Sequence, residues 1–175
     1  MKLFHRREAV PSSVTATLPK DERVVSWAET ADGGAVAATP SGLWWPDSHG
    51  QRLIGWQYID KAVWHEGVLT VVEADVVDEM LLVDRAPVSV QLTTPRDLPP
   101  TVRKRVEANI VRSELLGVAG GQARFVARRV PGRDGVTWWA RIDARTIETP
   151  ELLAAVRARV LLLRRTAEDE ARRGQ

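Results

Sequence analysis

The sequence predicts an α+β fold in which a mostly antiparallel β-barrel or sandwich is capped by a helix and followed by a β-hairpin and a C-terminal helix. Three observations favour this fold. Short β-type segments alternate with turn residues throughout residues 23–93, five of the seven tryptophans lie among those segments, and two later segments repeat apolar residues at helical spacing. Many short strands separated by frequent turns are typical of a closed or nearly closed antiparallel sheet.

The turns define the predicted strands. Asp32-Gly33-Gly34 and Glu66-Gly67 are tight-turn sequences, because glycine readily adopts the positive φ that a two-residue hairpin turn requires. A polar segment over residues 8–19 precedes the first strand and is expected to be irregular. In chain order, the predicted strands cover residues 23–29, 35–39, 43–45, 51–56, 58–64, 68–73, 80–83 and 88–92.

Prolines then end the β pattern and predict the capping helix over residues 99–116. Pro99-Pro100 fits a first helical turn, where a backbone N–H has no helical acceptor to lose. Gly117 predicts the end of this helix, because glycine favours the left-handed conformation that often follows a last turn. The apolar residues that recur at helical spacing are Val102, Val106 and Ile110.

A second hairpin and a second helix complete the chain. Gly120-Gly121 is interpreted as a flexible joint, and residues 122–130 and 136–143 predict two strands around a turn rich in glycine. Thr149-Pro150 predicts the start of the last helix, with threonine as N-cap and proline at the first helical position. Its charged end, residues 168–175, is expected to fray. Its apolar stripe is Leu152, Val156, Val160 and Leu163.

Three segments of the β region resemble bacterial pleckstrin-homology-like (PH-like) domains: residues 35–44, the spacing Ile-x-Trp-x-x-Ile at residues 54–59, and residues 69–72. The resemblance covers residues 20–116 and implies a seven-stranded bent barrel plugged at one end by the predicted helix. The whole chain is similar to an uncharacterised family of proteins from GC-rich bacteria. Relatives that bind phosphoinositides carry basic residues on the first hairpin loop. The loop here, residues 29–34, is acidic, so phosphoinositide binding is not expected.

Composition limits the classes of site that the chain can build. It contains no cysteine, which excludes disulfides, thiolate metal sites and cysteine nucleophiles. His5, His49 and His65 lack any spacing that would place two imidazoles on one face, and no phosphate-loop or serine-nucleophile motif occurs. The acidic residues between 73 and 79 lack the glycine of a calcium loop. We therefore expect no metal site, no cofactor and no enzymatic activity.

The location of the protein is predicted from its N-terminus and from its apolar runs. Residues 1–7 are charged, but no apolar stretch of signal-peptide length follows them. No apolar run approaches the length of a membrane span. Together with the lack of cysteine, these features predict a cytoplasmic protein.

Charge is distributed unevenly along the chain. Residues 1–95 carry 8 Lys and Arg and 13 Asp and Glu, a net charge of −5, whereas residues 96–175 carry 17 and 10, a net charge of +7. Either the second half presents a basic binding surface, or the two halves attract each other within the molecule. We expect residues 20–116 to form one domain and residues 122–167 an appendix packed on it. Homodimerisation through the last helix is the alternative.

The second hairpin holds the best candidate for a binding surface. The leading hypothesis is a non-catalytic protein-interaction or scaffold module with an unknown protein partner. The alternative is nucleic-acid binding through residues 122–145, because arginines interleaved with exposed aromatic rings can contact phosphates and stack on bases. The candidate residues are Arg124, Arg128, Arg129, Arg133, Trp139 and Arg141.

The tryptophans give the sharpest packing expectations. Trp44 and Trp45 are consecutive on a predicted strand and should therefore face opposite sides of the sheet. The same alternation places Trp138 in the core and leaves Trp139 exposed. The tryptophans expected to be largely buried in the first β region are Trp27, Trp56 and Trp64.

Overall fold

A computed structural model describes residues 9–16, 18–142 and 148–173. A 3₁₀ turn covers Trp56–Tyr58. In chain order the elements are α1 (Ser12–Thr15), β1 (Ser26–Thr30), β2 (Ala35–Ala38), β3 (Gly42–Asp47), β4 (Gly50–Gly55), β5 (Ile59–His65), β6 (Val68–Asp78), β7 (Leu81–Asp84), β8 (Val88–Thr94), α2 (Leu98–Asn109), β9 (Ile110–Val118), β10 (Gly121–Arg128), β11 (Thr137–Ile142) and α3 (Pro150–Arg173).

The strands of the described residues form one large, mostly antiparallel sheet, which confirms the α+β class. Their order is β4-β3-β2-β1-β8-β6-β7-β11-β10-β9, and β5 pairs with β6 beside this path. The pairing of β11 with β7 is parallel. The sheet is open, so the prediction of a closed barrel is wrong. The long strand β6 explains why: its first half pairs with β5 and β8, and its second half pairs with β7, which carries the sheet onward into β11.

The two largest apolar cores among the described residues lie between this sheet and its two long helices. In the first, α2 packs Val102 and Val106 against buried residues of β1 to β6 and β8, among them Trp45, and against Trp56 of the 3₁₀ turn. In the second, α3 packs Leu152, Val156 and Val160 against β10 and β11. Because each strand alternates its side chains between two faces, both helices find an apolar face on the sheet. Within the described ranges, no helix is both long and apolar enough to cross a membrane.

The first predicted helix is shorter than the sequence indicated. It ends at Asn109, and the prediction that it continues to residue 116 is wrong, because residues 110–118 form β9. Ile110 and Val111 are β-branched and suit a strand, and β9 pairs with β10 along nearly its whole length. The Asn109 side chain marks the change of structure by donating a hydrogen bond to the backbone carbonyl of Arg129.

Ala119 and Gly120 form a tight turn between β9 and β10, so the predicted flexible joint at Gly120-Gly121 is part of a β-hairpin. Val118 pairs directly with Gly121 across this turn. Gly120 has a φ of +81°, and a Cβ there would lie 3.1 Å from the backbone nitrogen of Leu152 in α3. The predicted boundary between residues 116 and 122 thus falls on a hairpin turn beneath the start of a helix.

The predicted hairpin and last helix are confirmed, with one change at the C-terminal end. β10 and β11 are antiparallel neighbours, and Asp143 of the predicted second strand lies outside the described residues. The Thr149 hydroxyl accepts a hydrogen bond from the Leu152 N–H at 3.2 Å, as an N-cap does. The helix continues to Arg173 instead of fraying from residue 168.

Trp27 and Trp56 are buried as predicted. Trp45 lies in the core beneath α2, whereas Trp44 packs beside Trp27 on the other side of the sheet, so the predicted opposition of Trp44 and Trp45 is confirmed. The Trp56 indole also donates a hydrogen bond to the Thr39 carbonyl at 2.9 Å. This bond satisfies the single polar group of a buried ring.

Candidate functional site

The predicted basic surface on the second hairpin is divided between the surface and the interior. Arg124, Arg129 and Arg133 are exposed, as a binding surface requires. The other three candidates, Arg128, Arg141 and Trp139, are buried, so the prediction that all six form one accessible surface is wrong.

Arg128 and Arg141 are buried because their side chains lie on the face of β10 and β11 that meets the start of β5 and the end of β7. Arg128 Nη1 donates a hydrogen bond to the Ile59 carbonyl at 2.6 Å, and its Nη2 lies 3.3 Å from Asp60 Oδ1. Arg141 Nε lies 3.4 Å from the same Asp60 oxygen, and its Nη2 pairs with Asp84 Oδ1. Two arginines and two aspartates thus form a balanced charge cluster.

The electrostatic state of Arg128 reflects this position. Burial, followed by the positive charge of Arg141, lowers the pKa of Arg128 to about 10, while Asp60 and Asp84 act in the opposite direction. The guanidinium therefore stays charged at neutral pH, and its partners compensate for the lost hydration. The arrangement is that of a structural ion cluster joining the N-terminal and C-terminal parts of the sheet.

Trp139 is buried for a related reason. Its ring contacts Tyr58 edge to face, with 6.4 Å between the ring centroids. Leu82, Val126 and Ala74 complete its surroundings. Alternation along β11 predicted correctly that Trp138 and Trp139 face opposite sides, but both faces of β11 are covered, one by α3 and the other by the turn before β5. The expectation of an exposed stacking ring at Trp139 is therefore wrong.

Further charge pairs connect the acidic and basic halves of the chain. Asp78, at the end of β6, accepts from Arg157 of α3 at 2.9 Å. Burial alone would raise the pKa of Asp78, but the hydrogen bonds from the Met80 N–H and from Arg157 outweigh it and hold the pKa below 3.8. Together with the cluster around Asp60, this pair supports the interpretation of charge attraction within the molecule.

A polar cleft of about 720 Å³ lies over the arginine cluster. Asp60, Asp84 and Arg141 line it, with Arg85 and Arg124 nearer to solvent. The Nη1 atom of Arg141 is buried and makes no hydrogen bond to any described residue. Each side chain in the cluster already has a charge partner within the protein. We therefore interpret the cleft as the solvent-facing border of a structural ion cluster and not as a ligand site.

The histidines and the acidic hairpin form no joint site in the described part of the chain. His65 and Glu66 are adjacent, with 3.7 Å between Nε2 and Oε1, but both side chains are almost fully exposed. Glu73 instead forms a bidentate ion pair with Arg52, whose Nη2 and Nη1 donate to Oε2 and Oε1 at 2.7 and 2.9 Å. Among the described residues, no three histidine, aspartate or glutamate side chains come together as metal ligands, and His5 lies outside those residues.

An apolar groove between β5 and α2 is the other candidate site, and sequence reasoning missed it. Trp64 is 39% exposed, so the prediction that it is buried is wrong. It lies near the end of β5, two residues before the turn at Glu66-Gly67. The groove has a volume of about 410 Å³ and is lined by Ala62, Val63, Trp64, Leu69, Pro99, Pro100 and Arg103.

The open edge of β5 runs along this groove. β5 pairs with β6 on one side, and no described strand pairs with its other side. His65 and Val68 flank a two-residue turn and are therefore a hydrogen-bonded pair, so alternation directs the backbone groups of Ala62 and Trp64 outward. Unpaired backbone donors and acceptors thus lie next to an exposed indole. In the sequence, the two prolines at the start of α2 could have indicated one apolar wall of the groove. They could not have indicated that β5 forms the other wall.

Comparisons with protein-family models, with curated proteins and with solved structures gave no significant match.

Proposed function

We propose that this protein is a non-catalytic protein-interaction module that binds an extended peptide by strand addition to β5. The observation that carries the proposal is the combination of an unpaired strand edge with the exposed Trp64 beside an apolar groove. In strand addition, backbone hydrogen bonds provide affinity and pockets for alternate side chains provide specificity. Tryptophan is also enriched among the residues that dominate binding energy at protein interfaces.

The chemistry of the groove defines the proposed peptide. Val63, Trp64 and Leu69 favour an aromatic or aliphatic side chain from the bound strand. Arg103 lines the groove, and Lys61, the neighbour of Ala62 on β5, is exposed, so acidic residues on either side of that apolar residue would complement these charges. The proposed partner is therefore an extended segment with one large apolar residue flanked by carboxylates.

The fold proposed for residues 20–116 remains PH-like. Its support is that β1 to β6 and β8 share one apolar core, against which α2 packs. Non-catalytic action is supported by the pairing of the buried ionisable groups, in which Arg128 and Arg141 are held by Asp60 and Asp84.

Selection from a phage-displayed library of random short peptides tests the proposal. Selected peptides should carry the predicted apolar and acidic pattern, and Trp64→Ser should weaken their binding by about tenfold or more. Leu162→Ser, which removes an exposed apolar side chain from α3, is the matched control and should bind like the unchanged protein. Every second backbone N–H of an added strand points toward β5. N-methylation of those nitrogens should abolish binding, whereas N-methylation of the intervening nitrogens, which point away from β5, should not.

Two outcomes would contradict peptide binding at β5. One is a library that yields no binding peptide, and the other is a selected peptide whose affinity Trp64→Ser leaves unchanged. Nucleic-acid binding is examined in the same preparation with a fluorescent single-stranded oligonucleotide at low salt. Binding that disappears when Arg124, Arg129 and Arg133 are all replaced by glutamate would favour that alternative, since phosphate contacts are strongest at low salt.

A further inference from the structure

The strand β9 presents another open edge, at the end of the sheet opposite to β4. It is nine residues long and pairs with β10 alone among the described strands. Natural proteins commonly protect such edges with proline, lysine or very short strands. Residues 110–118 contain neither proline nor lysine, and their two charged residues, Arg112 and Glu114, neutralise each other in an ion pair. A long strand edge without these devices can accept another strand.

The register of β9 fixes which of its groups point to this edge. Val118 and Gly121 flank the two-residue turn and form a hydrogen-bonded pair. Because hydrogen-bonded pairs recur at every second residue, the backbone groups of Leu116, Glu114 and Arg112 also point toward β10. The intervening residues direct theirs toward solvent: Val111, Ser113, Leu115 and Gly117.

The side chains of β9 are arranged symmetrically about Ser113. On one face, Val111 and Leu115 are 48% and 54% exposed, and each lies two residues from Ser113. On the other face, Arg112 and Glu114 lie one residue to either side and pair with each other within the chain. A two-fold rotation about Ser113 therefore places Val111 at the position of Leu115, which is also apolar. It places Arg112 at the position of Glu114, which has the opposite charge.

We propose that β9 pairs in antiparallel fashion with β9 of a second copy of this chain, about a two-fold axis at Ser113. Ser113 then lies opposite Ser113 of the second copy, Val111 opposite Leu115, and Arg112 opposite Glu114. The outward-facing backbone groups of the two strands meet one another in this register, as an antiparallel ladder requires. Opposite charges and apolar residues that face each other across two strands are both stabilising pairs.

Neighbouring symmetric registers are disfavoured by the same residues. A two-fold axis at Arg112 places two arginines opposite each other, and an axis at Glu114 does the same with two glutamates. Like charges directly opposite each other across a strand pair are destabilising. An axis at Leu115 places Glu114 against Leu116 and leaves both charges without a cross-strand partner. The sequence of β9 thus specifies one register.

The surroundings of β9 leave room for a second copy. The C-terminal end of α2 at Asn109 comes opposite Gly117 of the second copy, where a side chain is absent and the space around the glycine is open. α3 packs more extensively on β11 than on β9, so it is set back from the edge. The groove beside β5 lies at a different edge and stays accessible, and the dimer does not depend on peptide binding there.

Sedimentation of the full chain over a concentration series tests the dimer and its register. The unchanged chain should form dimers, and Arg112→Glu or Glu114→Arg should each weaken the dimer by about tenfold or more, because like charges then face each other twice. The double exchange Arg112→Glu/Glu114→Arg should restore it. A mixture of the two singly changed chains should form heterodimers, because one strand is then acidic and the other basic. Arg133→Glu, a charge reversal on another exposed arginine, is the control.

Cross-linking provides an independent measure of the register. Because the chain has no cysteine, Ser113→Cys introduces a single thiol. Opposed residues in an antiparallel pair have Cα atoms about 5.5 Å apart, within disulfide range, so this variant should form a disulfide-linked dimer under mild oxidation. Val111→Cys should not, because residue 111 lies opposite residue 115. Any of three results would overturn the proposal. The first is a chain that stays monomeric at all concentrations, and the second is a dimer whose affinity neither charge reversal changes. The third is a disulfide that forms through position 111 in preference to position 113.

Discussion

Arg128 of β10 donates a hydrogen bond to the backbone carbonyl of Ile59, the first residue of β5, over a distance of 2.6 Å. The two residues are 69 positions apart in the chain. The bond crosses from the C-terminal part of the sheet to the corner where β4 turns into β5, next to Asp60. A charged side chain thus holds the two parts of the molecule in register at a point where apolar packing alone would not specify their alignment.

The first prediction concerns this contact. Arg128→Ala should lower the free energy of unfolding by about 3–5 kcal/mol, because removing one partner of a buried ion cluster leaves the others without compensation. Urea denaturation measures the change. Arg129→Ala is the matched control, since the neighbouring arginine is exposed, and it should change stability by about 0.5 kcal/mol or less. Equal effects of the two substitutions would contradict a structural role for the cluster.

The second prediction concerns acid stability. The pKa of Asp78 is lower in the folded protein than its usual 3.8, so the unfolded chain binds its proton first as the pH falls. The stabilisation by ionised Asp78 is therefore fully present above about pH 3.8 and declines as the pH falls toward and through the folded pKa. The stability difference between the unchanged protein and Asp78→Asn, measured by urea denaturation across this range, should shrink at low pH.

Replacing the partner of Asp78 tests the same linkage from the other side. Arg157→Leu removes the side-chain donor and should remove part of the pH dependence attributed to Asp78. The double variant Asp78→Asn/Arg157→Leu should then show little further change from Asp78→Asn alone. A difference between Asp78→Asn and the unchanged protein that stays constant down to low pH would contradict the lowered pKa of Asp78.

The third prediction compares two tryptophans of neighbouring elements. Trp56→Ala should cost about 3–5 kcal/mol of stability, because it removes a buried ring and leaves the Thr39 carbonyl without its donor. Trp64→Ala should cost about 1 kcal/mol or less, because its ring is partly exposed at a groove. Melting curves of both variants provide the measurement. A loss at Trp64 as large as that at Trp56 would place the indole of Trp64 in the core and remove it from the proposed binding site.

The fourth prediction concerns the turn between β9 and β10. Gly120→Ala should destabilise the protein more than Gly132→Ala does, by on the order of 1 kcal/mol. Both glycines have positive φ, so the backbone penalty is common to both variants. Only Gly120 has a neighbour within 4 Å, the start of α3 at Leu152, whereas Gly132 has none. If thermal denaturation shows the same loss of stability for both variants, α3 can move away from residue 120 without a loss of stability.

The amino-acid sequence by itself determined most strands, the N-cap of the last helix and the burial of Trp27 and Trp56. These features depend on local alternation, on turn residues such as Asp32-Gly33 and on capping side chains, all of which act over a few residues. The tertiary structure decided which strand edges and faces would be covered. Residues 110–118 continue the apolar spacing of α2, yet they form β9, because β10 offers a ladder partner along nearly their whole length. Arg128 and Arg129 are adjacent and alike, but only Arg128 meets Asp60, 68 residues away, and only Arg128 is buried.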